Sequence, residues 1–390
     1  MKSQHHDPDF AMLRTRLTQA LLAMTLTLPT LSSSYAAPQA DPELDFMLGQ
    51  MLIVGFDGLE VSDRDAIVQD IRERHIGGVI LFDFHVPERR PVRNVESPEQ
   101  VRALIASLQA KAQTPLLVAV DQEGGRVMRL KERHGFPAMQ SPQQLADQGD
   151  LAATAAQAEM TGALLNELGF NLNFAPLADL NTNPDNPVIG RLERSYSADP
   201  DVVVAHAAQV VDGHRRHGVL TALKHFPGHG SSTGDSHYGF TDVTETWQPI
   251  ELEPFAELIR QQRADMVMTA HIFNAELDPE WPATLSPTIM HGLLREQLGF
   301  DGLIVSDDMQ MGAIRDHYGL ETALRQSLLA GVDLFIFGNN MAYEPERTGE
   351  IIAMMRRLVE DGTIERSRIE QSWQRICAIK AQRFPGQVTC

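Results

Sequence analysis

The run Lys224-His225-Phe226-Pro227-Gly228-His229-Gly230, followed after a short spacer by Asp235-Ser236-His237, gathers a cation, three histidines and a carboxylate in one glycine-rich segment. Imidazole titrates near neutrality, so a histidine both donates and accepts protons there. A carboxylate beside it orients the ring and stabilises the imidazolium. A solvated turn would also be rich in Asp, Ser and Gly, so the wider pattern decides. Asp307, in Leu303-Ile304-Val305-Ser306-Asp307-Asp308, stands at the lip of an apolar run. A carboxylate held rigidly there suits in-line attack as a nucleophile, although Asp after a strand also caps helices. Asp121-Gln122-Glu123-Gly124-Gly125-Arg126-Val127-Met128-Arg129 follows another apolar run. Its carboxylate and guanidinium groups are directional partners for vicinal hydroxyls. The glycine pair is no phosphate loop, because Gly-x-Gly-x-x-Gly and a P-loop lysine are both missing.

These clusters need a scaffold that brings distant segments together. Strand-like runs at Met51–Phe56, Val79–Phe82, Leu116–Val120, Leu172–Ala175, Thr221–Phe226, Met266–Thr269, Leu303–Ser306 and Leu334–Phe337 alternate with helical periodicity. The helical segments are Asp63–Arg74, Pro98–Ala112, Leu151–Leu168, Asp201–His217, Leu252–Gln262, Thr288–Leu298, Leu320–Ala330 and Glu346–Asp361, and Ile364–Gln382 adds one more at the end. The expected fold class is α/β, a single (β/α)8 TIM-type barrel with an extra C-terminal helix; a doubly wound open sheet is the alternative. The polar clusters favour the barrel, since they fall at strand ends three to seven and a barrel gathers these at one mouth. His271, at the sixth strand end, reads equally as a satisfied core histidine or a ligand contact.

The chain of 390 residues is 43% apolar and 22% charged, with a net charge of −19, an ordinary globular composition. That charge disfavours nucleic acid and anionic membranes as partners, and no later apolar run is long enough for a stable membrane span. Arg14 and Arg16, the apolar stretch Leu17 to Leu31 and the small residues around Ser34-Tyr35-Ala36 read as a secretory leader over residues 1–36. Translation starting at Met12 would suit that leader equally. Residues 37–390 then form the catalytic-type barrel, and a periplasmic or secreted location follows, with the cytoplasm as alternative. The two cysteines, Cys377 and Cys390, read as a free, non-catalytic pair, with pairing across the end of the last helix as the alternative.

Taken together, the motifs resemble the bacterial β-N-acetylglucosaminidases of glycoside hydrolase family three, over essentially the whole chain after the leader. The resemblance implies a retaining exo-β-N-acetylhexosaminidase working through a covalent glycosyl-enzyme, without metal or organic cofactor. Its carbohydrate substrate would be terminal β-linked N-acetylglucosamine on peptidoglycan fragments or chito-oligosaccharides, and a monomer is expected. On matching positions it makes Asp307 the nucleophile with Asp308 a structural neighbour, His237 the acid/base and Asp235 its orienting partner. It implies sugar contacts from Asp121, Arg129, Arg194, Lys224 and His225, and a structural ion pair for Arg126. Asn183-Pro184 through Ile189-Gly190 to Arg194-Ser195 resembles a further family segment. Two extra residues after Gly190 leave Arg191 competing with Arg194. Relatives that cleave glucosides carry a carboxylic acid on a second domain; none is legible here, which favours the histidine subgroup. Relatives of that subgroup usually work in the cytoplasm, and the leader departs from this. Other readings are a family-three β-glycosidase of different specificity, an N-acetylglucosaminide phosphorylase, a metal-dependent hydrolase using His225, His229, His237, His271, Asp121 and Asp235, and a non-catalytic sugar-binding barrel.

Overall fold

The computed structural model describes residues 41–390; the expected leader over 1–36 and the alternative start at Met12 lie outside the described residues. Eight parallel strands close into a barrel: β1 (Leu52–Gly55), β2 (Gly78–Ile80), β3 (Leu117–Val120), β4 (Leu172–Asn173), β5 (Leu220–Phe226), β6 (Met266–Thr269), β7 (Leu303–Asp308) and β8 (Leu334–Phe337). They are ordered sequentially, and β1 closes the ring on β8 in the register Leu52↔Phe335, Ile53↔Ile336. Strands buried on both faces read as continuous Val/Ile/Leu runs rather than alternating ones, which is the form these segments take. Helices surround the ring, and the alternative of a doubly wound open sheet is excluded by its closure.

Two departures from the sequence expectation matter. β4 stops at Asn173 rather than Ala175, where Pro176 lacks the N–H that a ladder needs. Cys377 and Cys390 are not free: they form a disulfide that ties the chain end to the C-terminal helix Arg366–Arg383. Three unforeseen helices add to the set. Pro42–Gln50 is capped by Asp41, Pro142–Asp147 by a Ser141/Gln144 capping box, and Gly312–Tyr318 follows β7 directly.

Lys380 on the C-terminal helix is wholly buried and donates to Gln50 Oε1 at 2.7 Å. Burial pushes its ammonium down to about 7. The unfolded chain keeps this lysine protonated to about pH 10. Between those limits the unfolded state binds the extra proton, so this group makes stability rise with pH; below pH 7 both states are charged and the folded chain carries the full burial cost. Lys380→Met removes the charge. Its melting temperature minus that of the parent should therefore be more positive at pH 6 than at pH 10 by calorimetry. A difference independent of pH would show that the ammonium is solvated.

Candidate active site

Strand β5 is buried along its whole length, yet its last turn carries Lys224 and His225. Neither is tolerable there without partners. Lys224 Nζ donates to Asp121 Oδ1 at 3.0 Å and lies 2.6 Å from Glu123 Oε1. Asp121 follows β3, and Glu123 lies on a short hairpin, Gln122–Gly124 against Val127–Met128. Arg129 donates to Asp121 Oδ2 at 2.9 Å, and Arg194 donates two parallel bonds of 2.8 Å to Glu123. The order Arg129–Asp121–Lys224–Glu123–Arg194 thus alternates in sign across the barrel mouth. Burial works to raise the Asp121 carboxyl, but Lys224 and Arg129 outweigh it and hold it well below the usual carboxylate range.

His225 is fixed by Asp179, a fully buried carboxylate after β4. Asp179 accepts from His225 Nδ1 at 2.7 Å, from its backbone N–H at 3.0 Å and from the His229 N–H at 2.8 Å. Gly228 takes φ +119° in the intervening turn, a conformation that favours glycine. Asn186 ties the long β4 loop to this turn by donating to the carbonyls of His229 (2.8 Å) and Gly230 (3.1 Å). That loop delivers Arg194.

Asp235 and His237 sit on the strap that follows. Asp235 Oδ1 accepts from His237 Nδ1 at 2.7 Å and from the His237 N–H at 2.9 Å. This fixes the ring and leaves Nε2 for substrate. Desolvation works to lower the His237 pKa, yet the Asp235 hydrogen bond and the charges of Asp307 and Asp235 raise it above the usual value. The buried His229 ring reaches the hydroxyls of Ser232 at 2.9 Å and Ser236 at 3.1 Å, gripping the strap from below. Burial lowers His229 to about 4, so it stays neutral in this role.

Asp307 ends β7. Burial works to raise its carboxyl, but His271, His225 and His237 together keep it below the ordinary value. Its neighbour Asp308 is pushed up to about 6 by burial, and the charge of Asp307 adds to the rise. One Asp308 oxygen is already occupied by the N–H groups of Gln310 (3.0 Å) and Gly338 (3.2 Å). Adjacent carboxyl groups in such different surroundings take different roles, and only Asp307 faces the cavity. Asp121, Arg129, Arg194, Lys224, His225, His237 and Asp307 all line one cavity of about 230 Å³, on the scale of a single sugar ring.

The structure therefore brings together the residues expected from sequence, with Asp235 directly behind His237. It selects Arg194: Arg191 pairs at 3.4 Å with Asp185 away from this cavity, and both are exposed. His271 is a satisfied core residue, held by Thr284 Oγ1 at 2.7 Å and the Asp308 carbonyl at 3.1 Å. Arg126 is exposed and makes no ion pair among the described residues, so the acidic partner expected for it is not found. Among the described residues no three His, Cys, Asp or Glu side chains form a metal-holding group; the histidines of that alternative are committed to Asp179, serines, Asp235 and Thr284. Sequence reasoning missed Glu123 and Asp179 as partners of the site, although Glu123 stands in a quoted cluster.

A rigid carboxylate thus faces an imidazole–carboxylate pair over a polar basin of about 230 Å³ at the barrel mouth. Residues 43–379 match the glycosyl hydrolase family 3 N terminal domain, and the chain belongs to that family. It is 36% identical over 332 residues to beta-hexosaminidase A of Pseudoalteromonas piscicida, covering 79% of this chain and 53% of that protein. It is 36% identical to a beta-hexosaminidase of Tolumonas auensis, covering 75% of this chain and 83% of the relative. A family 3 beta-N-acetylglucosaminidase from Paenibacillus superposes with a TM-score of 0.79 at 38% identity, covering 87% of this chain and 62% of that one. A beta-N-acetylhexosaminidase from Beutenbergia cavernae gives 0.77 at 29% identity, covering 88% and 100%. The chain thus spans about half of the first relative and under two thirds of the Paenibacillus chain.

Glu123 joins two buried cations, so Glu123→Ala should cost about 3–5 kcal/mol of stability by leaving charge uncompensated. Urea unfolding of the variant checks this, and a loss below about 1 kcal/mol would mean that water screens the pair.

Proposed function

We propose that the chain is a retaining exo-β-N-acetylhexosaminidase that removes terminal β-linked N-acetylglucosamine from peptidoglycan fragments or chito-oligosaccharides. The observation that carries the reading is the lining of one small cavity by Asp307 and His237, with His237 Nδ1 held by Asp235 at 2.7 Å. The names of the Tolumonas and Beutenbergia proteins support the sugar. A basin the size of one ring supports exo action, and supply of the whole site by one chain supports a monomer.

In the proposed reaction an Asp307 oxygen attacks the anomeric carbon while the bond to the aglycone breaks. The leaving oxygen takes the proton from His237 Nε2. The imidazole, now neutral, accepts a proton from water as the water oxygen attacks the same carbon and frees Asp307. Asp121, Arg129, Lys224, His225 and Arg194 meet the sugar hydroxyls with charged donors and acceptors that are already ordered, so little reorganisation is needed on binding.

We also propose that the protein is exported and loses roughly its first 36 residues. The tripartite N-terminus supports this, as does the Cys377–Cys390 disulfide, a bond characteristic of oxidising compartments.

Asp307→Ala should abolish turnover of an aryl N-acetyl-β-glucosaminide while the fold persists, and a mechanism-based fluorosugar should label Asp307 in the parent. Labelling of Asp308 or Glu123 would refute the assignment. A panel of aryl N-acetylglucosaminide, N-acetylgalactosaminide, glucoside and xyloside tests the sugar.

Glycosylation needs ionised Asp307 and protonated His237. The profile of kcat/KM against pH should be a bell whose acid limb lies below the usual carboxylate range and whose alkaline limb lies above about 6.5, since the first group is lowered and the second raised. His237→Ala should lose the alkaline limb, slow natural glycosides severely and spare acidic phenol leaving groups in glycosylation. Azide should then restore deglycosylation. Equal losses on all leaving groups with no azide effect would reduce His237 to a binding residue.

Export is checked by N-terminal sequencing and fractionation of the native host. Intact leader peptide on cytoplasmic protein would overturn it.

A further inference from the structure

The catalytic strap carries an aromatic ring that folding does not use. Tyr238, next to His237, is 77% exposed, the most exposed large apolar side chain among the described residues. Exposure of a tyrosine in a mobile turn would mean little, but the backbone under this one is seated. Gly312 N–H donates to the His237 carbonyl at 2.9 Å, Ala313 N–H to the Ser236 carbonyl at 3.1 Å, and the Tyr238 N–H to the Asp235 carbonyl at 3.1 Å. Gly312 lies so close that a Cβ on it would meet the Tyr238 carbonyl carbon at 2.7 Å and its oxygen at 2.9 Å. The other aromatic of the strap, Phe240, packs at 5.3 Å on Phe273 and at 5.3 Å on His317, and so anchors it. For Tyr238 the one aromatic neighbour among the described residues is the His237 imidazole, 6.4 Å away and tilted by 49°. A fixed backbone therefore presents a free ring beside the acid.

The position relative to the chemistry gives that ring a use. The cavity of about 230 Å³ holds one sugar, so the leaving group lies outside it. Its first atom is the oxygen that meets His237 Nε2, which places the leaving group on the side where Tyr238 stands. A saccharide leaving group has a ring joined directly to that oxygen, with an apolar C–H face of the size of a phenol. A peptide joined through a spacer would begin farther away. We propose that Tyr238 is the platform of the leaving-group site, stacking on a pyranose linked through the scissile oxygen, and that it selects saccharide over ring-free aglycones. This rests on the glycosidase reading above and deepens it.

The test compares N,N′-diacetylchitobiose with β-N-acetylglucosaminyl fluoride, whose leaving group has neither a ring nor a need for a proton. For Tyr238→Ala the ratio of kcat/KM, disaccharide over fluoride, should fall about tenfold, the scale of one lost aromatic stacking contact, with most of the loss in KM. Tyr238→Phe should keep the ratio within about threefold, since the ring face remains. Parallel losses on both substrates would show that Tyr238 merely holds the strap, and an unmoved ratio would show no leaving-group contact; either overturns the inference. Should the Ala variant fail to fold, Tyr238→Asn gives the same reading from an exposed polar side chain. A parent enzyme that cleaves neither substrate overturns the glycosidase reading instead.

Discussion

Lys224 is buried at the end of a barrel strand, and the site is built around its ion pairs. Its two carboxylate partners each hold an arginine on the far side, Asp121 with Arg129 and Glu123 with Arg194. Isolated burial of any of these groups would cost several kcal/mol; together they compensate one another and leave donors and acceptors projecting into the cavity. The same chain joins β3, the β4 loop and β5. The sugar basin and the barrel rim are thus one structure, and a change in any member is felt in both.

A second fixed point is Asp179. One buried carboxylate receives the ring of His225 and the backbone of His229, and His229 in turn grips Ser232 and Ser236. Strand end, turn and strap are therefore connected through a single acceptor. On its outer side the strap meets the first residues of the helix Gly312–Tyr318, which follows the nucleophile strand. His237 and Asp307 come from different segments, yet each is referred to the other through backbone hydrogen bonds rather than through flexible side chains. A proton donor needs that precision, because displacement by an ångström removes most of its effect.

Much of this was legible in the residues. All eight runs gave strands, because parallel barrel strands must be apolar on both faces; β2 and β4 were each overextended by two residues at the C-terminal end, since a short apolar pattern does not show where a ladder stops. The site residues were legible because unusual types stood at strand ends. The partners behind them were less so. Glu123 stood in view within its cluster and Asp179 just ahead of Asn183-Pro184, but their importance depends on which buried cation or ring each meets across the barrel, and no local spacing encodes that. The same holds for Arg126, whose expected ion pair is absent among the described residues, and for His271, whose neighbours Thr284 and Asp308 are supplied by other segments. The cysteines illustrate it most plainly: Cys390 reaches Cys377 only because the chain folds back along the last helix. Ser141 and Gln144 did hold a readable capping box, and Asp41-Pro42 a readable helix start.

The charges around His237 account for its two opposite duties. In the resting site the Asp235 hydrogen bond and the charges of Asp307 and Asp235 favour the imidazolium, the form that donates. In the proposed reaction Asp307 is esterified as the aglycone departs, and its negative charge disappears from the cavity. Asp235 still orients the ring, but one of the influences that raised its proton affinity is gone, while desolvation, which lowers it, persists. The neutral imidazole is therefore favoured once the aglycone has taken its proton, and that form is the one that accepts a proton from the attacking water. When the ester is cleaved the Asp307 charge returns and the imidazolium is restored. In that proposed cycle a nucleophile and an acid/base that share one field reset each other.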